Sequence, residues 1–259
     1  MARLNYDEIA QLYDDPLRDH AVDGHLLTFL ADRPERWGSA RFLDVGCGTG
    51  KQVAANYRQW PEARLVGVDR YRGMLRIAQK RRSAATWIQA DGAILPFGAN
   101  TFQYATSQFS YQHIGRTSDL LRELFRVLTP GGRFVMTNID PWSMPGWLVY
   151  QYFPEACELD RRDFLPTEHF VALMRDVGFH AVRLELVDAS VDQDLRDFLR
   201  YASERHRASQ LMAIPDEAYL AGLRRVEEAI AARSENAPVR SQFVVVTICG
   251  DKLMTGRET

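Results

Sequence analysis

Phe42-Leu-Asp-Val-Gly-Cys-Gly-Thr-Gly50 is an apolar run that ends in three glycines at alternating positions. Phe42, Leu43 and Val45 read as a short buried strand. A strand running into such a turn brings a ligand against bare backbone, because glycine tolerates positive φ and has no side chain to hold the ligand away. From Lys51 to Tyr57 the pattern turns helical. The loop therefore sits at a helix N-terminus, where free N–H groups and the dipole favour an anionic group.

Spacing narrows the choice of ligand. A phosphate-binding loop of the nucleotide triphosphatases needs Gly where Val45 stands and Ser or Thr where Gln52 stands. The dinucleotide fingerprint Gly-x-Gly-x-x-Gly/Ala started at Gly46 needs a small residue at Lys51, and started at Gly48 needs one at Val53. Nicotinamide and flavin binding are thereby disfavoured, although a nicotinamide oxidoreductase stays among the alternatives.

Downstream, Arg64-Leu-Val-Gly-Val-Asp69 is a continuous apolar run capped by a carboxylate, nineteen residues after Gly50. In nucleoside-binding α/β folds an acid at the end of the second strand accepts hydrogen bonds from ribose hydroxyls. A third strand, Thr86–Ala90, ends in Asp91-Gly92, and a fourth spans Gln103–Ser107. A helix to Leu128, a turn Thr129-Pro-Gly-Gly132 and a strand Arg133–Asn138 follow. Strands alternating with helices predict βαβ units and a parallel sheet.

These blocks resemble the class I (Rossmann-like) S-adenosylmethionine-dependent methyltransferases, in the subgroup that includes the ubiquinone/menaquinone-biosynthesis enzymes (methyltransferase type 11). Leu43–Gly50 resembles the first motif, and Val66-Gly-Val-Asp69 with Gly73-Met-Leu75 the next. Asp91–Phe97 with Phe102 is similar to the third, and Leu124–Arg133 to the fourth. The resemblance implies an α/β fold with a seven-stranded, mostly parallel sheet. Its order is 3-2-1-4-5-7-6 with strand 7 antiparallel, helices on both faces and a helical cap. It also implies S-adenosyl-L-methionine as cofactor and S-adenosyl-L-homocysteine as product.

The resemblance assigns roles residue by residue. Asp44, Gly46, Cys47, Gly48 and Gly50 hold the methionine part, Asp44 through water. Asp69 binds the ribose hydroxyls, with Arg70 beside it. Met74 packs near the adenine, Asp91 accepts from its amino group, and Gly92 completes the base contact. Ser107 and Tyr13 complete the cofactor set. Two positions depart from the family pattern: Gln103 stands where an acid is usual, and Arg70 where an apolar residue is usual. Cys47 reads as a small loop residue rather than a nucleophile.

Composition fits a soluble, cytoplasmic enzyme. The chain of 259 residues is 46% hydrophobic, with a net charge of −2. That charge gives no general attraction to nucleic acid or to an anionic membrane. The apolar run Phe243–Cys249 is too short to span a bilayer, and the N-terminus is polar and acidic, unlike a signal peptide. Three scattered cysteines suggest neither a disulfide framework nor a metal site. The expected partner is a small-molecule substrate, with no nucleic acid, on a monomer or homodimer.

A single domain is expected, divided into N-terminal lid helices (1–35), a cofactor-binding half (36–140), an aromatic substrate-side insertion (141–163) and a helical cap (190–236). Residues 5–32 read as helices, with Tyr6 and Tyr13 on one face. Trp142, Trp147 and Tyr152 belong to an aromatic stretch suited to an apolar pocket wall. Thr167 caps a helix ending near Gly178, a sixth strand spans about His180–Val187, and Ser241–Cys249 reads as the seventh. Between them, Leu195, Phe198, Leu199 and Ala202 form one helical stripe, and Tyr219, Leu220, Leu223, Val226 and Ile230 another. Arg196, Arg200, Arg205, His206 and Arg207 read either as a solvated face or as an anion-binding patch for substrate.

Methyl transfer from a sulfonium is an in-line displacement, so alignment can supply much of the catalysis. A hydroxyl or carbon acceptor also needs a base. His113, in Ser107-Gln-Phe-Ser-Tyr-Gln-His113, is the base candidate, with an unperturbed pKa of about 6.5, and Tyr111 and His206 are weaker ones. The favoured function is methyl transfer to O, N or C of a small molecule. The alternative is non-methylating chemistry with the same cofactor, of cyclase or carboxymethyl-transfer type.

Overall fold

The computed structural model describes residues 5–14, 20–31, 33, 40–81, 83–233 and 237–254. They group into two compact units. One comprises Tyr6–Asn138, Glu168–Glu185 and the chain from Thr247, the other Ile139–Thr167 and Leu186–Val246.

The first unit opens with helices α1 (Tyr6–Tyr13) and α2 (Gly24–Ala31). It then alternates β1 (Arg41–Val45), α3 (Lys51–Gln59), β2 (Arg64–Asp69), α4 (Arg72–Ala78), β3 (Thr86–Gln89) and β4 (Phe102–Gln108). Helix α5 (Thr117–Val127) and strand β5 (Leu128–Ile139) follow. After the second unit's α6 (Leu148–Tyr152) and α7 (Pro154–Asp163) come α8 (Thr167–Val177) and β6 (His180–Asp188). Then come β7 (Val191–Gln193), α9 (Leu195–Ser203), α10 (Ser209–Ala213), α11 (Asp216–Ala231), β8 (Val239–Ser241) and β9 (Val244–Asp251).

Seven strands form one sheet in the order β3-β2-β1-β4-β5-β9-β6, mostly parallel with one antiparallel strand, as the resemblance implies. β1 lies inside it, third in the order, with Leu43 level with Val66 of β2 and with Ala105 of β4, both in parallel. A strand covered on both faces is mostly apolar, which is why β1 and β2 read as apolar runs, broken in β1 only by the buried Asp44. On one face Leu26, Phe29 and Leu30 of α2 pack on Phe42, Tyr104, Val135 and Cys249. Asp23 caps α2, its Oδ1 accepting from the N–H groups of His25 (2.9 Å) and Leu26 (3.2 Å). At the other end of the unit Lys252 Nζ donates to the carbonyls of Phe125 and Leu128 (both 2.8 Å), satisfying the C-terminus of α5.

The order reverses between β1 and β4. In an open parallel sheet that reversal leaves a crevice outside the carboxyl ends of the strands, and the glycine loop begins there.

Several boundaries differ from expectation. The stretch Thr129-Pro-Gly-Gly132 is not a turn but the start of β5. Gly131, at φ 77°, and a register shift opposite Phe102 and Tyr104 absorb it as a bulge. The helical reading of 5–32 resolves into α1 and α2, while residues 15–19 and 32 lie outside the described residues. α8 starts at Thr167 itself, and the seventh strand of the sheet starts at Val244. Ser241 instead ends β8, which pairs antiparallel with β7 in a small ribbon that periodicity does not reveal.

The second unit has its own core. Phe153, Leu148, Val149 and Ala156 are fully buried, as are Phe198 and Ala202 of α9. Phe153 stacks on Tyr219 at 6.0 Å, and a Cβ on Gly222 would meet the Phe153 ring at 2.1 Å, so the helix approaches only because that residue is glycine. Tyr219, Gly222 and Val226 share the inner face of α11, whereas Leu220, expected in that stripe, is 51% exposed. It lies about 100° around the helix from Tyr219. Residues 234–236 of the expected cap lie outside the described residues.

Candidate functional site

Gly46 and Gly48 take φ of 75° and 54° at the carboxyl end of β1. The N–H groups of Gly46 and Cys47 both donate to the Val68 carbonyl (2.8 and 3.0 Å), which ties the loop to β2. A Cβ at Gly46 would lie 2.4 Å from the Ser110 Cβ, so glycine is required there by space as well as by φ. At Gly48 nothing lies within 4 Å of such an atom. The loop thus presents bare backbone to open space.

That space is a cavity open at its mouth, with about 610 Å³ of atom-free volume that includes the solvent in the mouth. Its wall brings together Gly46, Gly48, Asp69, Arg70, Met74 and, from the end of β3, Asp91 and Gly92. Apart from Met74 of α4, these residues lie at or just after three strand ends and meet because the sheet order places β3, β2 and β1 side by side. Asp69 is buried and works twice. Its Oδ2 accepts from Gly48 N–H at 2.8 Å and its Oδ1 from Tyr71 N–H at 2.9 Å. A carboxylate has about four lone-pair sites, so acceptor capacity remains for a ligand diol. Asp91 Oδ1 accepts from Ala93 N–H at 2.9 Å, and Gly92 is packed under Val45 and Ile114. The Arg70 guanidinium sits 5.6 Å from the Tyr71 ring centre, covering part of the rim.

Asp44 lies behind the loop. Its Oδ1 is buried and finds no hydrogen-bond partner among the described residues. Burial, reinforced by the charges of Asp23 and Asp69, pushes its carboxyl up to about 8. Burial also raises the Asp69 carboxyl, against the lowering effect of its backbone N–H bonds. A cluster of buried carboxylates beside glycine backbone accommodates a ligand that brings a cation and hydroxyl donors, and repels one that brings phosphate. S-adenosylmethionine carries an ammonium, a sulfonium and a ribose diol, so the residues fit it.

Helix α1 closes another side. Tyr6 and Tyr13 both line the cavity and meet edge to face at 5.7 Å. Asp7 Oδ1 accepts from Gly73 N–H at 2.5 Å, at the start of α4. Asp14 pairs with Arg81, whose Nε also donates to the Thr49 carbonyl in the glycine loop. His113 is in the wall, and its Nε2 faces the Tyr6 hydroxyl (3.1 Å) and Gln112 Nε2 (3.2 Å). Asn138 Nδ2 donates to Gln112 Oε1 at 2.8 Å, which turns the Gln112 amide nitrogen toward the imidazole. An amide nitrogen only donates, so His113 Nε2 is the acceptor and the proton of the neutral ring is on Nδ1.

Other expected residues lie elsewhere. Cys47 points into the core beneath Gly67 and Trp87, and burial together with Asp44 and Asp69 keeps its thiol protonated. Gly50 packs on Trp87 and Ala78 rather than facing the cavity. Ser107 is fully buried and supports the wall indirectly, its hydroxyl 2.7 Å from that of Ser110, which donates to the Val45 carbonyl. Tyr111 is buried against Phe170. Gln103, the departure from the family acid, accepts from Arg41 N–H at 2.7 Å and stays outside the cavity wall.

Of the expected substrate residues, Tyr111 belongs to the first unit, whereas Trp142, Trp147, Tyr152, Arg200 and His206 belong to the second, where their partners are internal. Trp147 packs edge-on to Tyr150 and Phe243, Tyr152 lies beside Phe198, and Trp142 N–H donates to Asp140. Arg200, three-quarters exposed, pairs with Asp197 at 2.7 Å, and His206 lies 4.0 Å from Glu204. Arg205 stacks over Tyr219 and donates to the Leu211 carbonyl and to Asp216. The basic cluster is therefore largely matched by acids within its own unit.

Ser110, Phe109 and Tyr71 line the cavity without having been singled out from sequence. Phe109 sits at φ 49°, a conformation that nothing in its residue type announces. Tyr71 carried a weak signal, two residues after the strand-end acid.

A methyltransferase-domain family model matches residues 43–136. The ubiquinone/menaquinone biosynthesis C-methyltransferase of Desulfotalea psychrophila is 33% identical over 140 residues, covering 52% of this chain and 57% of that protein. The demethylmenaquinone methyltransferase of Thermus thermophilus is 30% identical over 224 residues, covering 72% of this chain and 96% of that one. Among solved structures, a putative methyltransferase from Anabaena variabilis superposes with a TM-score of 0.64 at 16% identity, over 81% of this chain and 90% of that chain, which speaks to fold. The glycine loop, strand-end acids and sheet order agree with these likenesses: the chain belongs to the class I S-adenosylmethionine-dependent methyltransferases of the ubiquinone/menaquinone-biosynthesis type.

Proposed function

We propose that the cavity at β1, β2 and β3 holds S-adenosylmethionine and that the methyl acceptor is a small molecule, specifically a ring carbon activated by a neighbouring hydroxyl, as in a quinol. The observation that carries the cofactor assignment is the convergence of Gly48 backbone, Asp69 and Asp91 on one wall beside the unpartnered Asp44 oxygen. The acceptor class follows from the C-methyltransferase and demethylmenaquinone methyltransferase names of the two relatives.

Bound there, the cofactor supplies an electrophilic methyl group on sulfur. The remaining work falls to the chain. Asp69 takes the ribose hydroxyls on its free lone pairs, Asp91 accepts from the adenine amino group, and Met74 and Gly92 pack on the base. Asp44 attracts the ammonium through water, which lowers its own proton affinity. Tyr13 and Arg70 narrow the mouth. Fixing both reactants in line is worth roughly 7–11 kcal/mol of barrier. A phenolic carbon nucleophile must lose a hydroxyl proton, and the Tyr6 hydroxyl relays it, giving its own proton to His113 Nε2 and taking the substrate's in its place.

The test is turnover with S-adenosylmethionine against a panel of demethylated quinols, phenols, amines and carboxylates, reading release of S-adenosylhomocysteine and methylated product. The reading expects turnover with quinols and a methyl on ring carbon. Turnover with amines alone would overturn the acceptor class. Tight nicotinamide dinucleotide binding without binding of either sulfur compound would overturn the cofactor assignment.

A further inference from the structure

Strand β6 ends the sheet. One of its edges pairs with β9, and among the described residues no strand pairs with the other. Every residue of His180–Asp188 is exposed except the half-buried Val182, and Leu184 and Leu186 are 46% and 51% exposed. Open edges are templates for pairing with another chain, and proteins normally blunt or cover them. On the face shared with Thr247 and Cys249, Arg183 and Glu185 lie in an open groove flanked by His25 and Thr28 of α2.

The parity of the strand decides which residues offer free backbone groups. Ala189 N–H donates to the Phe243 carbonyl, toward β9. Alternation then turns the N–H and C=O groups of Val182, Leu184 and Leu186 outward. An antiparallel pairing of two copies must therefore centre its two-fold axis on a residue and not between two, and an axis through Arg183 or Glu185 would set like charges against each other. Centred on Leu184, it sets Val182 opposite Leu186 and Arg183 opposite Glu185 of the other copy, twice. Centred on Val182 or Leu186, it sets Arg183 opposite Ala181 or Glu185 opposite Val187 and matches no charge. Arg183 and Glu185 fall at the non-hydrogen-bonded positions, where side chains approach most closely and cross-strand pairing is felt most. Ala181, at φ 47°, ends the extended run and bounds the ladder at Val182.

We propose that β6 is a homodimerisation edge. Two copies join antiparallel about a two-fold axis through Leu184, with about six backbone hydrogen bonds, apolar contacts on one face and two reciprocal Arg183–Glu185 pairs on the other. The occupant is a second copy because the strand is complementary to itself in the one register that its parity and its charges both allow.

Sedimentation velocity over a concentration series tests this. The wild-type protein is expected to dimerise. Arg183→Glu sets Glu against Glu at both pairs and Glu185→Arg sets Arg against Arg, so each variant should raise the dissociation constant about tenfold or more. Mixed one to one, the two variants should recover the dimer, since each like-charged strand meets its opposite. Both side chains are exposed, so circular dichroism and cofactor affinity should match wild type. A wild-type protein monomeric up to its solubility limit would overturn the proposal, leaving the charges as guards of a bare edge. So would a dimer indifferent to both substitutions, or a mixture that stays monomeric.

Discussion

Asn in place of Asp44 changes one buried oxygen for nitrogen and removes a titration. In the folded, ligand-free protein the Asp44 carboxyl is held at about 8, against 3.8 for an unburied Asp, chiefly by burial and then by Asp23 and Asp69. The folded value is the higher one, so between the two the native state keeps a proton that the unfolded chain has released. Stability therefore falls as pH rises through this window, by about 1.4 kcal/mol per unit, and levels off above the folded value. From pH 5 to pH 7 that amounts to about 2.7 kcal/mol. Urea unfolding of wild type and Asp44→Asn at several pH values isolates the term, because every other group titrates in both. The wild-type curve should descend more steeply by about that amount, and binding of S-adenosylmethionine at pH 7 should release about 0.9 proton from wild type and far less from the variant. Parallel stability curves and equal proton release would refute the assignment of a protonated Asp44 behind the loop.

Asp69→Ala should weaken cofactor binding about 10- to 150-fold in a calorimetric titration, the loss of charged hydrogen bonds worth roughly 1.5–3 kcal/mol. The same variant should lower the melting temperature, because the Gly48 and Tyr71 N–H groups lose their acceptor. Gly46→Ala forces a Cβ to within 2.4 Å of Ser110 at a φ of 75°, and should cost both stability and cofactor binding, whereas nothing crowds Gly48. Differential scanning fluorimetry with and without cofactor separates the two effects. His113→Ala should lower kcat about 10²- to 10⁴-fold at saturating cofactor, over and above the affinity lost with the Tyr6 contact. Unchanged kcat would make His113 a wall residue.

The cofactor-binding half was legible because its signals are local. A buried parallel strand is mostly apolar, and a turn that lets backbone touch a ligand favours glycine, so Leu43–Gly50 and Val66–Asp69 carry their structure in adjacent residues. The double duty of Asp69 was not legible. Its partner Gly48 is twenty-one residues away, and only the parallel register of β1 on β2 brings them together. The bulge at Thr129–Gly132 reads as a turn because Pro and Gly carry the same local preference in both settings, and the pairing opposite Tyr104 decides between them. The aromatic run from Trp142 to Phe153 looked like a pocket wall, yet many of its rings pack against one another and against Phe198, Tyr219 and Phe243. Composition says that aromatic surface will be buried, and not by what.

Helix α1 is only eight residues long, below the roughly 12–15 that an isolated helix needs to persist in water. Its coil is therefore maintained from outside, by the Asp7–Gly73 bond, the Tyr6–His113 contact and the Asp14–Arg81 pair. Undocking and unwinding become a single event, and the amides of Ile9 to Tyr13 should exchange with deuterium at the same rate as the Gly73 amide. This couples the lifetime of a bound ligand to the melting of a peptide: residence time would be set by how often one short helix forgets its shape.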